Sequence, residues 1–246
     1  MKKVFQFIDL FLSVSGFVPA HATMIRTVVM AFTFFFTLNL INAPSLSHVF
    51  AVWFFLLSTA AYISFLYVVL PKNGLRLWLM KTFGEEEGFL TYEAILSFLF
   101  FVNGTSIGYM SAAFKDSLPF SVDKDILQAF ALMLFLSGWV IKLWAAKVVG
   151  VDIYYWKDMF YGKKITEFVV EGPYKFINNP MYGLGQVQTY ATALWYLSFP
   201  GLIAALINQL AVFSFYHLQE KKFIKRVYLQ DADKEYKMVV ATATVK

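Results

Sequence analysis

The residues best suited to chemistry fall in two polar stretches, 147–181 and 217–246. The first holds Asp152, Tyr154, Tyr155, Trp156, Lys157 and Asp158, then Glu171-Gly172-Pro173-Tyr174 and Asn178-Asn179-Pro180-Met181-Tyr182. Asn is a good N-cap and Pro a good first helical residue. Asn179-Pro180 therefore predicts a helix start, whose unpaired N–H groups can bind a carboxylate or phosphate; a plain helix start is the simpler reading. Gly183 and Gly185 come next, and suit either close approach of backbone to ligand or close helix packing. In the second stretch Glu220 ends an apolar helix three residues after His217, on the same face. A carboxylate there either reaches out to water or holds something cationic.

The elements that must position these residues are membrane helices. The 246 residues are 59% hydrophobic and only 15% charged, with a mean hydropathy of +0.59. Soluble domains run at about 45–50% apolar and about 25% charged. The 28 Phe and 14 Tyr suit lipid contact and interfacial belts. Zero Cys excludes disulfides, thiolate metal sites and cysteine nucleophiles. A membrane span needs roughly 20 mainly apolar residues, which predicts six, at 27–41, 48–70, 91–114, 126–146, 182–197 and 202–218. The last two are short and joined by Pro200-Gly201, so they read as a tight helical hairpin. Asn103-Gly104-Thr105-Ser106 is a small, polar patch for helix packing or a local kink.

Lys and Arg orient the bundle. Of 21 such residues only Lys115 and Lys124 fall on the far side if the amino terminus is cytoplasmic, and an even number of spans returns the carboxyl terminus there too. The net charge of +5 then marks a cytoplasmic face rather than nucleic-acid contact. Lys2-Lys3, an apolar stretch over 4–18 and Ala20-His21-Ala22 imitate a cleavable signal peptide. Asp9 interrupts that stretch and cleavage would invert the charge bias, so an interfacial or re-entrant helix is expected. The reading is an all-α polytopic bundle forming one domain over 1–246. Its spans over 1–146 precede a core over 147–246, with the hairpin, a cytoplasmic cofactor pocket and a basic amphipathic helix suited to an anionic membrane surface.

At this point the motifs meet a family. Gly172-Pro173-Tyr174, then Asn178-Asn179-Pro180-Met181-Tyr182, a hairpin, and Gln219-Glu220-Lys221-Lys222-Phe223 resemble the carboxyl-terminal core of the phospholipid and isoprenylcysteine methyltransferases. Tyr154-Tyr155-Trp156 to Phe160 also resembles the larger, fungal type of phosphatidylethanolamine N-methyltransferase. The resemblance covers about 150–236. It implies S-adenosyl-L-methionine as cofactor, held by Tyr174, Asn179, Tyr182 and Glu220, with Gln219 beside them and backbone amides of Pro180 to Gly183 meeting the methionyl carboxylate. Two departures stand out: Asn178-Asn179 replaces the family's Arg-His or Arg-Asn, and Gln219-Glu220 replaces a Glu pair.

The resemblance further implies methyl transfer to a membrane lipid amine, with His217 or Glu220 accepting the ammonium proton. Gln186 would face the head group, Trp156 and Asp158 would form a lid or head-group contact, and the six Lys and Arg over 221–237 would hold lipid phosphate. No metal or nucleic-acid partner is expected. Three rivals remain open: an isoprenylcysteine carboxyl methyltransferase, an NADPH-dependent sterol reductase-like enzyme, and a transporter or scaffold. Arg226 alone near the mouth disfavours a 2′-phosphate site, and little polarity in the spans beyond Asn103 and Gln209 disfavours a transporter. A bacterial inner membrane and an endoplasmic reticulum membrane both fit.

Overall fold

The computed structural model describes residues 2–17, 24–41, 46–165, 167, 169, 171–177 and 179–229. These form an all-α, integral membrane bundle. Four helices are long and apolar enough to cross a bilayer: α3 (His48–Val69), α5 (Glu85–Ala113), α6 (Lys124–Val149) and α10 (Phe199–Phe215), which continues without a break to Leu229. A shorter apolar helix, α2 (Met24–Ile41), packs on α5. Their outer faces carry Phe32, Phe35, Trp53, Leu57, Leu132 and Leu136, all exposed as lipid contact requires.

The predicted span over 182–197 is not a membrane-length helix. Only α9 (Gln188–Trp195) is α-helical, eight residues or about 12 Å long, against a hydrocarbon core of about 30 Å. Pro180, Gly183 and Gly185 are poor interior helix formers. The chain there makes turns, with Gly185 N–H donating to Pro180 O at 2.7 Å and Gln186 N–H to Gly183 O at 3.0 Å. The hairpin itself stands: α9 packs on α10, and Ser198 caps α10 by accepting from Gly201 N–H at 3.1 Å.

Small and polar groups knit the helices. Asn103 Nδ2 donates to Thr59 Oγ1 and Ser58 Oγ to Ser106 Oγ, each at 2.7 Å across the α3–α5 contact. The polar patch thus serves packing, and α5 runs unbroken through it. Gly104 faces open space, whereas a Cβ on Gly138 would sit 2.8 Å from the backbone N of Gln188, which is why α6 can touch α9. Arg26 on α2 and Glu93 on α5 form a buried ion pair.

Helix α1 (Lys2–Val14) is 13 residues long, too short to span. It lies on α6 through Phe11 and Trp139, whose rings are 5.0 Å apart. Tyr155 Oη donates to Ser13 O at 2.6 Å. Only its C-terminal end, Ser13 and Val14, is buried in the bundle, whereas Val4, Phe5, Phe7 and Ile8 stay exposed. Residues 18–23, which hold Ala20-His21-Ala22, lie outside the described residues, as do the predicted turn residues Asn42, Pro44 and Ser45.

At one end of the bundle sit α4 (Arg76–Phe83), α7 (Val151–Tyr154) and α8 (Lys157–Tyr161). Arg76 locks them together, donating to Pro71 O, Lys72 O and Phe160 O at 3.1, 3.1 and 2.8 Å. The helical run after α10, with α11 (Lys221–Ile224) in it, is not a surface helix. Phe223 and Val227 are buried in a core with Leu66, Tyr92, Trp156 and Phe215, so its apolar stripe faces protein. Lys221, Lys222, Lys225 and Arg226 stay exposed. Lys234 and Lys237 lie outside the described residues.

Candidate functional site

The two polar stretches meet. Tyr182 Oη donates to Glu220 Oε2 at 2.8 Å, although 38 residues separate them. Both belong to the wall of a cavity of about 290 Å³ at the end of the bundle that carries α7 and α8. That volume is at the lower end of the range for small-molecule sites.

Each wall has a local cause. Gly150 (φ 89°) ends α6 and turns the chain into α7. Trp156 then adopts φ 57°, ψ 39°, a left-handed conformation uncommon for a bulky residue. It is buried at 7% exposure, nearly parallel to Tyr182 at 6.3 Å and edge-on to Phe215 at 5.6 Å. Surrounding packing holds it there. Such strained positions concentrate at ligand clamps and active sites.

Asp158 is also buried. Its Oδ1 accepts from Met159 N–H at 2.8 Å and its Oδ2 from Tyr228 Oη at 3.0 Å. Burial raises its pKa above the ordinary carboxylate value, and the two hydrogen bonds pull partly the other way. Because the folded-state value is the higher one, Asp158 holds its proton more tightly in the fold than in the unfolded chain. The associated stability is present below about pH 3.9, the unfolded value, and is lost as pH rises through the raised value. Asp158→Asn is expected to remove this loss. Thermal melts of detergent-purified protein, run without ligand from pH 4 upward, should show the variant gaining on the parent as pH increases; a constant difference would contradict the assignment.

Tyr174 sits beside the cavity on the 3₁₀ turn Gly172–Lys175. Burial and the nearby Glu220 charge raise its phenol, which stays an O–H donor. Asn179 caps as its type predicts: Oδ1 accepts from Tyr182 N–H at 3.3 Å. The residues after it form turns rather than a regular helix. Tyr182 N–H is therefore used by Asn179, Gly183 N–H bonds Asn179 O at 3.0 Å, and Gly185 N–H bonds Pro180 O. The amides of Tyr182 and Gly183, expected to meet a carboxylate, are occupied within the chain.

Of the candidates, Trp156, Asp158, Tyr174, Asn179, Tyr182 and Glu220 line this cavity, whereas Pro180, Gly183, Gly185, His217, Gln219 and Gln186 do not. A Cβ on Gly183 or Gly185 would meet backbone oxygens of Asn179 or Pro180 at 3.0 and 2.8 Å, so these glycines allow tight turns. His217 is exposed, its ring 4.9 Å from Tyr216. Gln186 lines a second, deeper cavity. Asn178 lies outside the described residues.

Residues 126–231 match the model of the phospholipid methyltransferase family.

The relatives agree. A phosphatidylethanolamine N-methyltransferase of Eremothecium gossypii is 30% identical over 100 residues, 41% of this chain and 12% of that protein. Its namesakes from Schizosaccharomyces japonicus and Pyrenophora tritici-repentis are each 32% identical, over 103 and 99 residues, or 42% and 39% of this chain. In each the match spans 11% of the relative's length. No solved structure matches the chain.

Within the matched region, Tyr216, Lys221, Lys225 and Tyr228 also line the cavity, and the motifs did not single them out for it. The signal was present: Tyr216, Glu220, Ile224 and Tyr228 recur every fourth residue. On a pure α-helix that spacing drifts about 40° per step. Here π-helical turns at Tyr216–Glu220 and Lys225–Leu229 counter the drift and hold the stripe on the cavity. π-bulges are frequent at functional sites. Lys221 and Lys225 also put cations at the rim.

Proposed function

We propose that this chain transfers methyl groups from S-adenosylmethionine to the amine of a membrane phospholipid, phosphatidylethanolamine or its methylated forms. The observation that carries this reading is the Tyr182–Glu220 contact, which joins both family motifs in one cavity. The cavity's chemistry supports it. Rings of Trp156, Tyr174, Tyr182, Tyr216 and Tyr228 surround the carboxyls of Asp158 and Glu220, a setting that favours cations through ring faces and charge. S-adenosylmethionine, when bound, supplies a sulfonium-borne methyl group to a nucleophile in line with the S–CH3 bond. Lys221 and Lys225 suit its carboxylate, and Asn179 can donate to the same group.

The chain's own part is positioning and proton handling. Holding two reactants in line is worth about 7–11 kcal/mol. Trp156 and Tyr182 exclude water, which favours a reaction that disperses positive charge. The acceptor ammonium must lose one proton before its lone pair forms the new N–C bond, and Glu220, one of three carboxyls on the cavity with Asp158 and Glu167, takes it, directly or through water. Lys72, Lys81, Lys147, Lys157 and the Lys221–Arg226 group share the cavity end, whereas Lys115 and Lys124 lie at the other. That bias supports a cytoplasmic cavity in an integral membrane protein.

Titrating purified protein with S-adenosylmethionine, S-adenosylhomocysteine and NADPH tests the class. Both sulfur ligands are expected to bind and NADPH not to; binding of neither sulfur ligand overturns the reading. Labelled methyl donor incubated with mixed phospholipids should then label ethanolamine lipids.

A further inference from the structure

Below the first cavity lies a second, of about 440 Å³, bounded by α1, α5, α6, α9 and α10. A narrow void of about 30 Å³ lies between the two: it shares Trp156 and Tyr182 with the first, and Asn103, Lys142, Gln186 and Asn208 with the second. The wall of this second cavity also carries Ser15, Thr105, Gln188, Thr189 and Thr192, beside an aromatic part with Phe11, Phe101 and Trp139. Polar groups in a membrane interior are rare and mark substrate or ion pathways. This cluster was not evident in the sequence, where Lys142 sits unremarked in an apolar span.

Lys142 is the telling member. It is 4% exposed, so it does not reach water as lysines near membrane surfaces do. Its Nζ lies 4.8 Å from the Phe100 ring centre and 6.0 Å from that of Tyr154. With the Gln188 amide turned to donate to Gly185 O, Gln188 Oε1 accepts from Lys142 Nζ at 3.1 Å. Among the described residues no carboxylate pairs with it. A buried ammonium without counter-charge is costly, and Lys142 lines both the small void and the second cavity. It also sits seven residues before Val149, so it lies about 10 Å along α6 from the end that carries the first cavity.

We propose that the inner cavity holds a glycerophospholipid whose phosphate diester is the missing counter-charge of Lys142. Its acyl chains would occupy the aromatic part of the cavity and its head group would point into the small void, toward Trp156 and Tyr182. That the bound lipid is also the methyl acceptor rests on the methyltransferase reading; the anion site does not.

The test uses the full chain in detergent with Lys142→Met, which keeps the volume and removes the charge, and Lys142→Arg, which keeps the charge. Dihexanoyl phosphatidic acid, which has no amine, and dihexanoyl phosphatidylethanolamine should each raise the parent's Tm, whereas dihexanoylglycerol and inorganic phosphate should not. In Lys142→Met the lipid-free Tm should be unchanged or higher, both lipid-induced rises lost, and S-adenosylhomocysteine affinity kept within twofold. Its KM for the ethanolamine lipid should rise about tenfold with kcat nearly unchanged. Lys142→Arg should recover lipid binding. Equal lipid-induced shifts in parent and Lys142→Met would overturn the proposal, as would inorganic phosphate binding as tightly as the lipids. Lys142-dependent binding of phosphatidic acid by a protein that ignores both sulfur ligands would uphold the anion site while the methyltransferase reading falls.

Discussion

Glu220→Gln is expected to weaken S-adenosylmethionine binding roughly 10- to 100-fold while leaving expression and membrane insertion intact. The carboxylate accepts from Tyr182 Oη at 2.8 Å and faces a cavity lined by five tyrosines. A hydrogen bond to a charged group is worth about 1.5–3 kcal/mol, which converts to that range of affinity. Gln keeps the size and one acceptor, so loss of charge is the main change. Isothermal titration with S-adenosylhomocysteine, which lacks the sulfonium charge, separates two roles. If Glu220 acts by attracting the cation, the neutral product should lose less affinity than the donor. Unchanged affinity for both ligands would remove Glu220 from the site.

Trp156→Ala is expected to cost about 3–5 kcal/mol of stability, the usual range for deleting a buried Trp or Phe. It also joins the first cavity to the void beneath it, since Trp156 lines both. Activity should fall with stability, because water gains a path to the space between the two substrates. Trp156→Gly gives the contrast. Glycine adopts φ 57° without the strain of a side chain, worth about 1–3 kcal/mol, so this variant should melt higher than the Ala variant despite being smaller. If Ala melted above Gly, the left-handed backbone would not be storing strain. The readout is thermal unfolding in detergent, followed by labelled methyl transfer.

These predictions rest on positions that differ in how well the sequence exposed them. The membrane class follows from composition, because no soluble fold buries this much apolar surface with so few charges. Glu220, Tyr182, Tyr174 and Asn179 were legible as motif residues, and they do share one cavity. Asn179 shows the limit of local reasoning. Its capping bond forms as its side chain dictates, yet the glycines after it turn the chain, and the Tyr182 and Gly183 amides expected to bind a ligand donate to Asn179 oxygens instead. The same turns shorten the fifth predicted span to α9. Hydropathy registers apolar length but not whether Gly and Pro will spend it on a turn.

The run after α10 was misread for a different reason. Alternating lysines and apolar residues fit a lipid surface and a protein surface equally well, since both reward the same amphipathic stripe. Only the presence of Leu66, Tyr92 and Phe215 against Phe223 and Val227 decides between them.

By itself, then, the amino-acid sequence determined that the chain lives in a bilayer, that its positive charge gathers at one end, and that two short motifs belong together, because each depends on residue type and order alone. The tertiary structure decided the rest. It set Tyr182 against Glu220 across 38 residues, wound α10 into π-turns so that Tyr228 reaches Asp158, and left Lys142 facing a cavity without a carboxylate. Burial and the absence of a counter-charge are properties of neighbours, and neighbours from α1, α5, α9 and α10 are distant in the chain. A lysine in an apolar helix becomes informative only when the helices around it are known.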